Sequence, residues 1–251
     1  MNILNKEDYI EQVSIDCVIL GFHDRQLRVL LPKIKILKNI WTLPGGFILQ
    51  NESLDDAALR ILAERTGIRD IYLEQFRVFG SLERSSPGLM QDVLDFHWDK
   101  FLESGLTAED VAWVQRRFIS IGYYALVDIH KVVPVCSELD ESCEWYDIKE
   151  LPPLAFDHAE IVMKALGYLR LMLNHKLIGF NLLPETFTMK EVQDLYETVL
   201  DKPFRRNNFQ KMILDLDILE RLEKKFTGAA NKAPYLYRFK NNIGEADLHL
   251  E

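Results

Sequence analysis

The chain has 251 residues, 48% hydrophobic and 27% charged, with a formal net charge of −9. That length suffices for one large or two modest packed domains of ordinary globular composition. No apolar run reaches the ~18–20 residues of a membrane span, and MNILNKEDYIEQ lacks the pattern of a secretory signal, so a cytoplasmic location is expected. Cys17, Cys136 and Cys143 are odd in number and show no C-x-x-C spacing, which argues against a disulfide framework or a zinc knuckle.

Residues 13–22, VSIDCVILGF, and 27–33, LRVLLPK, read as two strands rich in Val, Ile and Leu, separated by the turn-like HDR. Pro44-Gly45-Gly46 then reads as a sharp break. Ser53 and Asp56 form a capping box that starts a helix over about 54–66, and Gly67 stands where a C′ glycine ends it. Strands are expected at 71–82, 118–129, 131–136 and 143–147. Between two of them, 88–115 reads as a pair of amphipathic helices, the second started by Thr107 and Asp110, and is taken as an insertion of about 86–116. Residues 158–175 carry apolar side chains at helical spacing.

The C-terminal part is organised differently. Residues 182–187 read as a linker, and Thr188 and Glu191 form a second capping box, opening a helix to about 200 with Val192, Leu195, Tyr196 and Val199 on one face. DKPF turns the chain into a helix over 206–214, with Phe209, Ile213 and Leu214 inward. A short helix near 216–222 and a hairpin around the loop TGAANKAP follow. Helix, turn, helix and β-ribbon is the layout of a winged helix-turn-helix. Residues 202–240 hold ten Lys or Arg against four Asp or Glu, a local charge of +6 that leaves −15 on the rest. An acidic body with a basic C-terminal segment is a partition that polyanion binders use.

The stretch GFILQNESLDDAALRILAERTGI, from Gly46 to Ile68, resembles the Nudix box, a loop and helix in which a Gly, a Glu six residues on, and then Arg-Glu-x-x-Glu-Glu-x-Gly gather carboxylates on a divalent metal. Gly46, Glu52, Arg60, Glu64 and Gly67 match. Ile61 and Arg65 stand where two of the three helix acids belong, and positions 61, 64 and 65 share one helix face. One apolar residue removes a ligand, and one cation adds repulsion where a divalent ion would sit. Glu64 is free to pair with Arg60 at i, i+4.

The resemblance runs further. WTLPGGF at 41–47, EWYDIKELPPLAFDH at 144–158, FTMKEVQDLYETVL at 187–200, NFQK at 208–211 and YLYRF at 235–239 are similar to the Nudix-related transcriptional regulators of the NrtR and AraR type, typified by repressors of NAD metabolism and of pentose utilisation. The resemblance implies a Nudix-like α/β (α+β) mixed-sheet sandwich over 1–182 that senses a small molecule, a winged helix over 183–240 that binds operator DNA, and a disordered tail over 241–251. It implies a homodimer, and no metal or cofactor is expected.

Residues matching the old substrate cleft are Lys33, Trp41, Phe79, Arg84, Arg117, Asp157 and His158. Arg84 and Arg117 suit a pyrophosphate such as that of ADP-ribose, whereas Asp157 and His158 with Trp41 or Phe79 as platform suit a neutral sugar, to which the reading leans. For DNA, Arg205, Arg206, Asn207, Asn208 and Lys211 cluster at the start of the recognition helix, and Lys224, Lys225 and Lys232 flank or tip the wing. The expected function is a ligand-responsive, non-hydrolytic regulator acting as a repressor. The alternative is a Nudix pyrophosphohydrolase using Glu52, Glu64 and Asp55 or Asp56 with Mg²⁺ on a nucleoside diphosphate derivative.

Overall fold

The computed structural model describes residues 6–35, 39–67, 69, 71–84, 107–114, 116–137, 140–173, 177–225 and 233–240. In chain order it has strands β1 (Tyr9–His23), β2 (Gln26–Ile34) and β3 (Gly45–Leu49), helix α1 (Leu54–Thr66), strand β4 (Tyr72–Phe79), helix α2 (Ala108–Val114), strands β5 (Ile119–Val127) and β6 (Asp140–Asp147), and helix α3 (His158–Leu173). The C-terminal part contains β7 (Phe187–Thr188), α4 (Met189–Leu200), α5 (Arg206–Asp215), β8 (Leu219–Lys224) and β9 (Tyr235–Phe239).

Among the described residues the large sheet runs β4-β5-β1-β2-β6, with β3 added to the first half of β1. β1 and β5 run parallel and in register over nine residue pairs, from Val13 opposite Ile119 to Gly21 opposite Val127. Both strands are buried on both faces, which is why they read as continuous apolar runs rather than as an alternation. The alternation is present but sorts residues between two cores. Ile15, Cys17 and Ile19 face the core under α1 with Leu30 and Tyr123, while Val18 and Leu20 face the core under α3 with Val29, Leu31 and Tyr124.

Local signals place the helices. Ser53 Oγ accepts the Asp56 N–H at 3.2 Å and Gly67 ends α1 at φ 72°, a left-handed conformation that glycine adopts without strain. The reciprocal half of this first box is absent, because Ser53 Oγ donates to the Asp56 carboxylate instead, at 2.6 Å. The second box is complete: Thr188 Oγ1 accepts from Glu191 N at 3.2 Å, and Glu191 accepts from Thr188 N at 2.6 Å.

The winged helix does not stand apart. Val192, Leu195, Tyr196, Val199, Phe209 and Ile213 belong to the same buried cluster as Val18, Leu31 and Leu169. Polar contacts add to it. Arg170 Nε donates to Val199 O at 2.7 Å, Thr198 Oγ1 to Arg25 O at 3.3 Å, and Arg25 pairs with Asp194 at 3.5 Å.

Several expectations are corrected. Residues 45–49 are a strand, since their backbone pairs with β1. Residues 131–136 form no strand; Val135 N–H is taken instead by Arg65 O at 3.0 Å. The helix expected near 216–222 is absent, because Asp217 turns left-handed at φ 52° and β8 begins at Leu219. The expected linker is partly ordered, as a 3-10 turn over Leu177–Leu182 and as buried Phe187, which pairs with Tyr237. Leu214 is exposed rather than inward. The first insertion helix and the tail over 241–251 lie outside the described residues.

Candidate sensor cleft and nucleic-acid interface

The loop before α1 folds around Arg60. Its guanidinium grips Glu52 through two bonds, Nε to Oε2 at 3.0 Å and Nη2 to Oε1 at 2.6 Å, and also donates to Phe47 O at 2.9 Å. Leu49 N–H donates to the same carboxylate at 2.8 Å. The Arg60 hydrogen bond holds the Glu52 carboxyl below its usual range. Glu64 is a weaker partner of Arg60, at 3.4 Å, and its side chain is 59% exposed. Ile61 is buried, and its side-chain carbons come so near Gly46 that a Cβ there would meet them at 3.0 Å. Arg65 adds no free charge to this face, because it is ion-paired with buried Asp140 at the start of β6. The other acids are engaged too: Asp55 accepts from Tyr123 Oη at 2.8 Å, and Asp56 from Ser53. Among the described residues no three acids, histidines or cysteines are grouped to hold a metal ion.

At the head of α3 the structure gathers Arg84, Asp157 and His158. Arg84, nearly buried, donates to Asp16 at 2.6 Å and to Asp157 at 3.1 Å. Ser120 Oγ donates to the same Asp16 oxygen at 2.5 Å. His158 Nδ1 accepts the Leu43 N–H at 3.0 Å, and Nε2 lies 3.5 Å from Asp16 Oδ1. Since Nδ1 accepts, the imidazole is neutral with its proton on Nε2; burial holds its pKa below the ordinary value. Burial raises that of Asp157, whose buried Oδ1 has no partner among the described residues. Gly45 is required here, because a Cβ would stand 2.7 Å from Ile15 O and 3.0 Å from Asp16 Oδ1.

The remaining cleft candidates are dispersed. Trp41 is half-buried, donates through Nε1 to Tyr146 Oη at 2.8 Å and lies under the Lys33 ammonium, 5.5 Å from the ring centre. Lys33 also pairs with Glu141 at 3.0 Å. Arg117 is exposed and donates to Gly80 O at 2.6 Å. The reading of Phe79 as a platform is corrected: it is 6% exposed, packed at ring distance 5.8 Å against Phe76 in the core. The described part of the insertion packs on the box loop, where Trp113 meets Phe47 at 4.6 Å and Phe118 at 5.1 Å.

In the C-terminal part, Arg205, Arg206, Asn207, Asn208 and Lys211 are all exposed, and their side chains make no hydrogen bond or ion pair with the described residues. Arg205 supplies no side-chain cap to α5, so the first-turn N–H groups are open as well. Lys224 and Arg221 lie over the Tyr235 ring at 5.4 and 4.6 Å. Lys225 is less free than expected, being bonded to Glu191 of the capping box at 3.0 Å. Lys232 lies outside the described residues.

Residues 11–165 match the family model of the NUDIX domain, and residues 179–239 that of the NrtR DNA-binding winged helix domain. The chain belongs to the Nudix family, with an NrtR winged helix joined to it. A curated relative, the ADPR responsive transcriptional repressor NtrR of Acinetobacter baylyi, is 27% identical over 242 residues, covering 93% of this chain and 84% of that protein. The crystal structure of Shewanella oneidensis NrtR complexed with a 27mer DNA superposes with a TM-score of 0.72 at 25% identity, covering 95% of this chain and 97% of that one. A MutT/nudix family protein from Enterococcus faecalis shares the fold, at TM-score 0.63 and 21% identity.

Within this Nudix chain, the box stretch keeps Gly46, Gly67 and Glu52 bound to Arg60, while Ile61 is a core residue and Arg65 an ion-paired cation. Sequence reasoning missed Asp16, Ser120, Asp140 and Tyr146. Asp16 left a signal, as an acid in the middle of the apolar run VSIDCVIL; the others are partners chosen by distant strands and left none.

Proposed function

We propose that the chain is a ligand-responsive transcriptional repressor that senses an ADP-ribose-type metabolite in its Nudix cleft and binds operator DNA through α5 and the β8–β9 wing. The reading rests on one combination: a box with Ile61 and Arg65 at ligand positions shares a core with a winged helix whose recognition-helix end is cationic and unpaired. The similarity to NrtR in complex with DNA supports the second half. The Acinetobacter relative is named for a response to ADPR, which moves the expected effector from a pentose toward ADP-ribose.

Residues 1–182 act as sensor and 183–240 as reader, in a homodimer that meets two half-sites. Arg205, Arg206 and Lys211 take phosphates and guanine edges, Asn207 and Asn208 suit adenine, and Lys224, Lys225 and Lys232 take backbone phosphates. Lys33, Trp41 and exposed Arg117, with the Arg84, Asp157 and His158 group, are the residues this reading assigns to the effector. The reading expects no hydrolysis, because Ile61 and Arg65 leave Glu64 as the one carboxylate of the three helix positions.

The test is capture of genomic fragments at about 150 mM salt. A shared palindromic site, lost in Arg205→Ala/Arg206→Ala and released or tightened by ADP-ribose, is the expected result. Mg²⁺-dependent cleavage of ADP-ribose with no enriched site would instead favour the hydrolase.

A further inference from the structure

At the opposite end of β4 from Arg84, where sensor and winged helix meet, the surface opens into a cleft of about 440 Å³. Its lining is aromatic: half-buried Phe239 packs against buried Phe180 at 4.6 Å, and Phe180 against buried Phe187 at 5.3 Å. Tyr72 forms a wall, its ring held in place by a hydroxyl bonded to Glu74. The rim carries three cations, Lys131 from the sensor and Arg238 and Lys240 from the winged helix, against two acids, Asp128 and Glu185.

The charges separate this cleft from a packing defect. Lys131 is exposed and its ammonium has no partner among the described residues. Arg238 and Lys240 are held only by exposed acids, Glu220 at 2.8 Å and Asp217 at 2.7 Å. Exposed pairs of this kind exchange readily for a better anion. Domain junctions with an apolar floor and a few converging polar groups are where small-molecule sites concentrate, and the volume lies within their usual range of ~300–1,000 Å³.

We propose that this junction cleft is a second small-molecule site, taking an aromatic anion of about nucleoside-monophosphate size, with its ring against half-buried Phe239 and Tyr72 and its anionic group among Lys131, Arg238 and Lys240. Such a ligand touches the end of β5 and also β9, the strand that leaves the wing and pairs with both β7 and β8. It binds in full only when the two halves are docked in this arrangement. Its affinity is therefore coupled to that of DNA by whatever difference the docked and operator-bound arrangements have. The site does not depend on the sensor reading, because none of its residues belongs to the Arg84 cluster or the box.

Equilibrium dialysis of the full chain with AMP, adenosine and inorganic phosphate tests it. AMP is expected to saturate with a Kd below about 1 mM, while adenosine and phosphate bind at least about tenfold more weakly because each lacks one half of the contacts. Lys131→Glu/Lys240→Glu should weaken AMP at least about tenfold, and the milder Lys131→Ala several-fold. Both positions are outside the core, and circular dichroism verifies the fold. Arg117→Ala, at the sensor cleft, should leave AMP binding in place. Absence of saturable AMP binding, or binding lost in Arg117→Ala and kept in the double variant, overturns the proposal.

Discussion

Arg84 acts as a buried cation between buried Asp16 and half-buried Asp157. Asp16 and Asp157 would repel one another without it, and Ser120 and His158 complete the shell around Asp16. Arg84→Gln is therefore expected to lower stability by about 3 kcal/mol in urea denaturation. Adding Asp157→Asn should recover part of the loss, since it removes one stranded charge. His158 gives a pH prediction. Its folded pKa is lowered, so the stability that follows from the neutral ring is complete above the free-imidazole value near ~6.5 and is lost as pH falls below it, where the unfolded chain takes up the proton first. Imidazole NMR should show His158 neutral at pH values where exposed histidines are already charged. Co-titration with them would show that burial does not hold the His158 ring neutral. Arg65 makes a different point. From the chain alone it reads as a cation facing an expected metal position; in the fold it is paired with Asp140.

At the scale of elements, caps and turns carry much of the definition. Thr188→Ala removes the acceptor for Glu191 N and should cost about 1 kcal/mol. Gly67→Ala forces a side chain into φ 72° and should cost a similar amount, about 1 kcal/mol, although nothing crowds the site. Urea midpoints check both, and an unchanged midpoint for Gly67→Ala would mean that α1 frays from that end. β4 and β8 show the limits of local reading. β4 stops at Phe79, three residues before its expected end, where a 3-10 turn brings Arg84 onto Asp16. β8 takes residues with a helical pattern because β9 offers a partner from Tyr235 onward.

For the whole molecule the decisive feature is that one core runs from the large sheet through α3 into α4 and α5. Cooperative unfolding of both halves follows. All four tryptophans, at 41, 98, 113 and 145, precede the winged helix. Tryptophan fluorescence thus follows the Nudix half, and far-ultraviolet circular dichroism follows both halves. The two urea transitions should coincide, and a second dichroism transition after fluorescence is complete would show that the halves unfold separately. The shared core also links the Arg84 cluster physically to the winged helix, because α3 begins at that cluster and its Arg170 holds Val199 of α4.

The sequence by itself determined the elements that carry their own chemistry. Ser53 and Gly67 bracket α1, Thr188 and Glu191 start α4, and the substitutions at 61 and 65 are visible in any alignment of residue types with the box. It also revealed the basic C-terminal segment, because charge is additive along a chain. Only the tertiary structure decided which groups meet. Asp16 reaches Arg84 across 68 residues, Asp140 reaches Arg65 across 75, and Trp41 reaches Tyr146 across 105. Such partners are selected by strand order and register, so nothing in the local pattern around either residue announces them. The junction cleft has the same origin: its aromatic lining and charged rim come from segments as far apart as Tyr72 and Lys240, joined by the docking of the two halves.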